Sequence, residues 1–529
     1  MTYSFRLDGV DVTVEDQGQS LLDTLRDHLG CSVVKDGCSP QGQCGCCTVW
    51  VDDAPRVACV TPTRRVVGRE VRTVAGLPLV DQQRWGEAFA CTGASQCGFC
   101  TPGIVMRLEA LRIRGVAADD TAAVEQALLA HQCRCTGWRT VIEAWAVAVG
   151  VGGPEVLPRP PEPTNSRDWS AAARRAGLEG GIAQRVGPSV ALGDGGFASD
   201  SAPSDALFAV PDGQGDWALG ETLVQARASA VKVQGRRTTK GGRPAFEVPP
   251  GDWDVTLQTG WVEPGYLETD ASWCRPGGEP ASPLGNGGAF GAKVASVAPA
   301  AARELANRTG RAVRVLLARE DCVRFGPKRP PLAAGLHRGE RRAVISVAAL
   351  PGVAEALRFG LGPGVDAEIT EVAVAGPTTS LALRAAGWAE GVALRRALAM
   401  DDVAEVVSPS GSRAQVSIAA DGSVSVQVSC GDPLDEIVLR SYCIGAVHMA
   451  ASWVTSESIA VDDQGQPLDL TIRSFAMLRA VDTPAIEVVI DSRGGPAVNG
   501  SDAVFAAAAG AVWAHQGFPP VWPTKLRLR

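Results

Sequence analysis

Alternating apolar and polar positions open the chain and predict a β-hairpin. The alternation covers Tyr3–Leu7 and Val10–Val14, with a tight Asp-Gly turn between them. Ser20 then opens a segment whose leucines recur on one helical face, and Asp23 follows the serine by three residues. A serine and an acidic residue at this spacing resemble a capping box, so a helix is predicted to start there.

Strands continue to about residue 80, and helical spacing replaces them after residue 82. A strand over Thr48–Val51 and a return strand reaching Cys59 are predicted first. A proline near its start predicts a helix over residues 101–114. Further helices are predicted over Thr121–His131 and Trp138–Val149. The first 150 residues are therefore predicted to form two small units, one built mainly of strands and one of helices.

The remainder of the chain is longer and more mixed. Residues 150–167 are rich in proline and glycine and predict an extended linker. The glycines of Gly360–Val365 predict a turn, because no strand–loop–helix unit with a ribose-binding acid surrounds them. Val504–Ala514 is apolar but too short to span a bilayer, so it predicts a buried helix.

Charge and cysteine content narrow the class of protein. The 529 residues include 50 basic and 58 acidic side chains, a net charge of -8, and no dense basic run that would indicate nucleic-acid binding. Eleven of the 15 cysteines precede residue 136, a crowding that favours metal binding in a reducing compartment over a disulfide scaffold. The first residues lack an export signal, so we expect a cytoplasmic protein with no membrane span.

Four cysteines form the first candidate metal site, in a C-x5-C-x2-C-x11-C run with glycines between the first three. They are Cys38, Cys44, Cys47 and Cys59. The nearest simple template is the C-x4-C-x2-C run of plant-type ferredoxins, whose loop holds one [2Fe–2S] cluster. Zinc sites favour two separated pairs of ligands, and disulfides need an oxidising compartment. The spacing therefore favours a [2Fe–2S] cluster.

A second set of four cysteines lies at the predicted helix starts, in a C-x2-C-x32-C-x-C pattern. They are Cys97, Cys100, Cys133 and Cys135. Free N–H groups and the helix dipole favour negative charge at a helix N-terminus, which suits an anionic cluster. By spacing alone, zinc is a serious alternative at this second site.

The motifs around both sets resemble those of a known family. QCGFCTPG, CRCTGW and the first cysteine run are similar to the iron–sulfur subunit of the xanthine dehydrogenase family of molybdenum hydroxylases, over essentially residues 1–150. The resemblance implies a multidomain α+β protein. A β-grasp ferredoxin-like domain would span residues 1–80, and a four-helix [2Fe–2S]-binding domain residues 81–150.

The resemblance also assigns roles to individual residues. The first cysteine set would hold the outer cluster, and the second set the inner cluster beside a molybdopterin. Gln96 matches a family glutamine that hydrogen-bonds the pterin, which implies contact with a molybdopterin cofactor on a partner subunit. Cys46 stands where the family usually has a small residue and is not expected to be a ligand, although it is placed to compete with Cys47. Cys31 and Cys91 are expected to be small buried side chains rather than ligands.

Motifs beyond residue 170 resemble, in the right order, the family's large molybdopterin-binding subunit. NGGAFGAK at residues 286–293 is similar to its GGGFGGK pterin loop, and residues 384–390 to its arginine-containing substrate-side loop. Gly287, Gly288, Phe290 and Gly291 would then form a degenerate pterin loop. The implied α/β layout is a linker over residues 151–170, a remnant of the family's hammerhead-like domain over 171–245, and a degenerate molybdopterin-binding-like domain over 246–529.

Departures from the family pattern weaken the second half as a catalytic unit. Ala289 and Ala292 replace loop glycines, and each added methyl hinders close backbone approach to a ligand. Only 208 residues separate Lys293 from Ser501, far fewer than the family uses. Ser501 occupies the position of the family's catalytic glutamate and cannot itself act as that base, while Asp502 is a weak candidate one residue away. These departures favour a copy kept for packing and assembly.

The favoured function is therefore electron transfer within a multi-subunit molybdenum hydroxylase. Two [2Fe–2S] clusters would relay electrons from molybdopterin on a partner's catalytic subunit to FAD on another subunit or to another acceptor. One alternative is a self-sufficient compact hydroxylase with its own molybdopterin. The other is a non-catalytic redox sensor, although no DNA-binding element is recognisable.

Overall fold

The computed structural model describes residues 1–150, 167–233, 235, 241–282, 288–399, 405–492 and 494–528. Most of the predicted linker over residues 151–170 lies outside the described residues, as does Gly287 of the predicted pterin loop. All of the helices and strands named for this chain lie within the described ranges.

The first 80 residues form a five-stranded mixed sheet with strand order β2-β1-β5-β3-β4. Its elements are β1 Thr2–Leu7, β2 Val10–Glu15, α1 Leu21–Asp23, β3 Thr48–Val51, β4 Ala54–Val57 and β5 Glu70–Arg72. The predicted hairpin is confirmed, with β1 and β2 antiparallel. The predicted cap is confirmed too, because Ser20 Oγ accepts a hydrogen bond from Asp23 N over 3.2 Å. The helix continues beyond α1 as a π-helical turn over Thr24–His28.

Residues 79–149 are helical, as predicted. The helices are α2 Leu79–Thr92, α3 Thr101–Ile113, α4 Thr121–Ala127 and α5 Arg139–Val149. The rings of Trp85 on α2 and Trp145 on α5 stack 6.3 Å apart. Trp50 on β3 donates from Nε1 to the carbonyl oxygen of Met106 over 2.8 Å and so joins the sheet to α3. The strand-rich and helical units therefore share one buried boundary.

The second half contains three further sheets, with strand orders β7-β6-β10-β9, β13-β12-β11-β8-β18 and β14-β15-β16-β17. Its strands are β6 Leu207–Pro211, β7 Trp217–Gly220, β8 Val255–Thr259, β9 Ala271–Cys274, β10 Val313–Leu316, β11 Leu332–His337, β12 Arg342–Ala348, β13 Asp366–Val372, β14 Val406–Val407, β15 Arg413–Ile418, β16 Val424–Ser429, β17 Ile486–Ile490 and β18 Val521–Trp522. Its helices are α6 Trp169–Gly180, α7 Pro188–Ala191, α8 Leu223–Ala228, α9 Ala298–Thr309, α10 Arg319–Phe325, α11 Val353–Leu361, α12 Trp388–Ala399, α13 Glu436–Thr455 and α14 Ser501–His515.

Two expectations about the second half need correction. The boundary expected between residues 245 and 246 divides a sheet, because β6 pairs in parallel with β10 across it. Residues 171–245 are therefore not a separate unit, since their strands need partners from beyond residue 270. The turn expected over Gly360–Val365 is wrong for its first two residues, because α11 continues through Leu361. The chain turns only after that residue and then enters β13.

Two long apolar helices form the centre of the second half. Trp453 on α13 and Phe505 on α14 stack with their ring centres 5.6 Å apart. The buried helix predicted around Val504–Ala514 is confirmed as α14. By length and hydropathy alone α13 is able to cross a membrane, but 89% of its apolar stretch is buried inside the chain. Its apolar surface is therefore used in the core.

The second half packs tightly on the first. Arg134 forms a buried ion pair with Glu457, and Arg440 on α13 forms another with Glu143 on α5, at 2.6 Å. The hydrophobic core of the cysteine-rich units continues into residues of the second half such as Ile472. The two halves therefore meet over a mixed apolar and ionic boundary.

Candidate metal centres and the adjoining cleft

The first cysteine set converges on one loop between α1 and β3, with its last member just after β4. The side chains of Cys38, Cys44, Cys47 and Cys59 are at most 6% exposed. The four thiols are joined by a series of contacts, since Cys38 contacts both Cys44 and Cys59, and Cys59 also contacts Cys47. A [2Fe–2S] cluster has two irons and four thiolate ligands, so four thiols gathered in one place fit it.

Backbone N–H groups and a glycine shape this loop. Gln41 N donates to Cys38 Sγ over 3.2 Å, and Cys59 N donates to Cys47 Sγ over 3.4 Å. Such donors stabilise negative charge on sulfur. A Cβ at Gly37 would lie 2.8 Å from Cys46 Sγ and 3.0 Å from Cys44 Sγ, so only glycine fits there. Cys46 is buried and contacts Cys44, so a fifth thiol adjoins this set.

The second cysteine set lies where α3 and α5 begin. The sulfur atoms of Cys97 and Cys135 are 3.5 Å apart, and the thiols of Cys100 and Cys133 are hydrogen-bonded to each other. That contact lowers the pKa of Cys133 to about 6 and raises the pKa of Cys100, because the two sulfurs compete for a proton. Cys97 is the least buried of the four. The four thiols of this set therefore form two pairs.

Pairing bears on the zinc alternative. Among the described residues, no three His, Cys, Asp or Glu side chains surround a common point as ligands of a single metal ion do. Every cysteine is also free of disulfide bonds. For the second set, a centre with two irons, each held by one pair of thiolates, fits this arrangement better than one tetrahedral zinc.

Gln96 lies buried between the second cysteine set and α13. Its Nε2 donates to the carbonyl oxygen of Cys135 and to Ser441 Oγ, each over 3.0 Å, while its Oε1 has no partner among the described residues. A Cβ at Gly445 would lie 1.8 Å from the carbonyl oxygen of Cys135. The chain's own helix therefore fills the space beside Gln96. The expected contact with a cofactor on a partner stays a prediction.

Ser501, at the predicted position of the catalytic base, is hydrogen-bonded to an arginine. Arg384 Nη2 donates to Ser501 Oγ over 2.5 Å, and its Nε donates to Asp502 Oδ1 over 3.0 Å. The guanidinium carbon lies 3.9 Å from the ring centre of Phe290. Asp502 is therefore held in an ion pair, and Ser501 is fully buried.

The N-terminus of α14 is closed by a second side chain that sequence reasoning missed. Glu179 on α6 accepts hydrogen bonds from Gly500 N over 3.0 Å and from Ser501 N over 2.9 Å. Free N–H groups at a helix start otherwise form an anion site. Because Glu179 lies more than 300 residues from these amides and no local motif marks it, only the tertiary structure reveals the contact.

Two spaces of different size adjoin Arg384. A cavity of about 30 Å³ adjoins Glu263, Phe290 and Arg384, which is room for about one water. A half-open cleft of about 390 Å³ lies between Glu179, Trp388 and Asp502, and neither Gln96 nor a cysteine of either set lines it. The cleft is therefore separate from the candidate metal centres.

Comparison with known proteins identifies the family. Residues 73–146 match the family model described as [2Fe-2S] binding domain. The nicotine 6-hydroxylase small subunit of Paenarthrobacter nicotinovorans is 34% identical over 160 residues, and the match covers 28% of this chain and 96% of that subunit. The chain belongs to the xanthine dehydrogenase family of molybdenum hydroxylases.

Larger family members match over the same region. The xanthine dehydrogenase of Emericella nidulans is 39% identical over 160 residues, which cover 27% of this chain and 11% of that enzyme. The chain thus spans about a tenth of the length of the xanthine dehydrogenases it matches. Aldehyde oxidoreductase from Desulfovibrio gigas has a similar fold, with a TM-score of 0.67 at 13% identity and 97% of each chain covered. At that identity the likeness concerns the fold alone.

Family membership raises the question of whether this chain has room for a molybdopterin. A Cβ at Gly288 would lie 2.4 Å from Cys135 Sγ, so the glycine loop touches the second cysteine set directly. Phe290 packs on Arg384, and a Cβ at Gly291 would lie 1.7 Å from the carbonyl oxygen of Ala382. The substituted Ala289 and Ala292 are buried in a small apolar cluster. The described residues therefore do not fit a molybdopterin between the glycine loop and Gln96.

Proposed function

We propose that this chain is an electron-transfer component of a multi-subunit molybdenum hydroxylase. Its first cysteine set would hold one [2Fe–2S] cluster and its second set another. The observation that carries the proposal is the convergence of the eight cysteines into two groups, each of four thiols in mutual contact. Each cluster, when bound, supplies a site that takes up and releases one electron.

The chain's own residues suit this task. Burial keeps water from the thiolates, and backbone N–H groups such as those of Gln41 and Cys59 stabilise their negative charge. Trp50 and Met106 fix the sheet against α3, which keeps the two cysteine sets at a constant separation. A rigid mounting of this kind favours electron exchange, because little rearrangement accompanies each transfer.

Molybdopterin would lie on a partner subunit that oxidises the substrate. Ser501 offers no base, and Arg384 is hydrogen-bonded to Ser501 and ion-paired with Asp502, so we assign no substrate chemistry to this chain. Electron entry is proposed on the side of Cys97, the least buried cysteine of the second set. Electrons would leave from the first set to FAD on a further subunit or to another acceptor.

Metal analysis of the purified chain tests the proposal. We expect about four irons per chain, as two [2Fe–2S] clusters require, and no molybdenum. Co-expression with its genomic neighbours should yield an assembly whose molybdenum is on another subunit. Cys59→Ser should lower the iron content by about two per chain, while Cys31→Ser, a half-buried cysteine outside both sets, serves as the matched control. Stoichiometric molybdenum on this chain alone contradicts the proposal.

A further inference from the structure

The second half covers the loop of the first cysteine set with specific contacts. Gln41 Nε2 donates to Glu320 Oε1 over 2.8 Å, and Gln41 Oε1 accepts a hydrogen bond from Ile472 N over 3.1 Å. Arg473 Nε donates to the carbonyl oxygen of Gln43 over 3.0 Å. The loop is therefore held from outside by α10 and by the segment around residues 470–473.

Arg319, the first residue of α10, is the innermost of these contacts. It is fully buried, and its Nη2 donates to the carbonyl oxygen of Gly37 over 2.8 Å and to that of Leu267 over 2.7 Å. Gly37 directly precedes Cys38, the first cysteine of the set. The guanidinium thus lies against the backbone that would carry a cluster ligand.

Arg319 has no acidic partner. No ion pair among the described residues includes it, and its Nε and Nη1 have no hydrogen-bond acceptor there. Nearby carboxylates are engaged elsewhere, since Glu263 pairs with Lys328 at 2.9 Å and Glu268 with Lys293 at 2.7 Å. The guanidinium carbon of Arg319 lies over the ring of Tyr266, 5.6 Å from the ring centre.

A buried charge without a counter-charge is unfavourable, and a guanidinium stays protonated in proteins. The Cys38 loop supplies the missing negative charge if its thiolates hold a cluster, because four thiolates on a [2Fe–2S] core leave the centre negatively charged. Reduction adds one electron to that centre and breaks no bond. A fixed positive charge stabilises the reduced state more than the oxidised state and so raises the reduction potential.

We propose that Arg319 is a positioning residue of the second half that raises the reduction potential of the cluster held by the first cysteine set. The inference rests on the proposed function, because it requires that cluster. A higher potential at the first cluster favours transfer of electrons to it from the second.

A redox titration with dithionite, followed by electron paramagnetic resonance of both clusters, tests the inference. Arg319→Gln removes the charge and keeps hydrogen-bond donors. We expect the equilibrium constant for reduction of the first cluster to fall about tenfold or more, which is about 59 mV for a one-electron couple. The second cluster's potential should not change. Arg319→Lys keeps the charge and should keep the first cluster near its original potential.

The matched control is Arg324→Gln on the same helix, whose arginine is about a third exposed and pairs with Asp321. In Arg324→Gln the first cluster should have the same reduction potential as in the unsubstituted protein. An unchanged first-cluster potential in Arg319→Gln overturns the inference. If Arg319→Gln loses the first cluster, the inference is tested with Arg319→Lys instead. A lowered reduction potential of the first cluster in Arg319→Lys also overturns the inference. Absence of two cluster signals from the unsubstituted protein instead contradicts the proposed function.

Discussion

Arg384 and Ser501 are joined by a hydrogen bond of 2.5 Å from Nη2 to Oγ, at the first residue of α14. The contact places a buried guanidinium against the residue that is predicted to stand at the family's catalytic glutamate position. Glu179 accepts from the amides of Gly500 and Ser501, and Asp502 pairs with Arg384, so both carboxylates at this helix start have partners.

Restoring the family glutamate should not create an enzyme. Ser501→Glu is expected to leave the purified chain without turnover of aldehydes or N-heterocycles, because Arg384 would pair with the new carboxylate. Glu179 and Asp502 would repel it, and we expect a loss of about 1–3 kcal/mol in unfolding free energy. Activity assays and urea denaturation check both outcomes. Ser425→Glu, on the exposed face of β16, is the control for adding a carboxylate. Molybdenum-dependent turnover by the Ser501→Glu chain contradicts the prediction.

Removing one member of the second cysteine set should affect that set alone. Cys133→Ser is expected to lower the iron content from about four to about two per chain, because one [2Fe–2S] cluster loses a ligand. Cys91→Ser, a half-buried cysteine on α2, should keep the full iron content. Colorimetric iron analysis and visible absorption spectra measure both variants. Equal iron in the two variants shows that Cys133 is not a ligand.

The buried ion pair between Arg134 and Glu457 should strongly stabilise the packing of the two halves against each other. Both side chains are at most 5% exposed, so Glu457→Gln leaves a buried guanidinium without its counter-charge. We expect the free energy of unfolding to fall by about 3–5 kcal/mol. In contrast, Asp194→Asn breaks a pair with Arg185 whose side chains are both more than half exposed, and should cost at most about 1 kcal/mol. Urea denaturation of the two variants checks the contrast, and similar losses contradict it.

His448 should make stability depend on pH. Burial lowers the pKa of His448 to about 4, and its Nε2 hydrogen-bonds the carbonyl oxygen of Leu478 over 3.0 Å. Between about pH 6.5 and 4 the unfolded chain binds a proton that the folded chain does not, so stability falls as pH falls through this window. From pH 7 to pH 5 this histidine should account for about 2 kcal/mol.

The measurement is urea denaturation at pH 7 and pH 5. His448→Gln should reduce the loss of stability between these values, because glutamine does not titrate there. His515→Gln, at an exposed position near the end of α14, should leave the pH dependence unchanged. If the unsubstituted protein, His448→Gln and His515→Gln lose the same stability between pH 7 and pH 5, His448 is not the source of the pH dependence.

Several features of the fold follow from short stretches of sequence. The hairpin of β1 and β2, the Ser20–Asp23 cap and the strand Thr48–Val51 depend on alternation, spacing and local hydrogen bonds, and each is present where predicted. The helix over residues 101–113 likewise follows from its proline. The domain boundary at residue 245 was wrong because the parallel pairing of β6 with β10 joins segments about 100 residues apart, which no local pattern records.

The sequence by itself determined the two cysteine sets and the family, because ligand spacing within a loop or at a helix start is a local property. Only the tertiary structure decided what surrounds them. Arg319 contacts Gly37 across 282 positions of the chain, and Glu179 contacts Ser501 across 322. Such contacts depend on how distant helices pack and on which charges become buried together. The residues next to an arginine or a glutamate in the sequence do not indicate which distant residue it will contact.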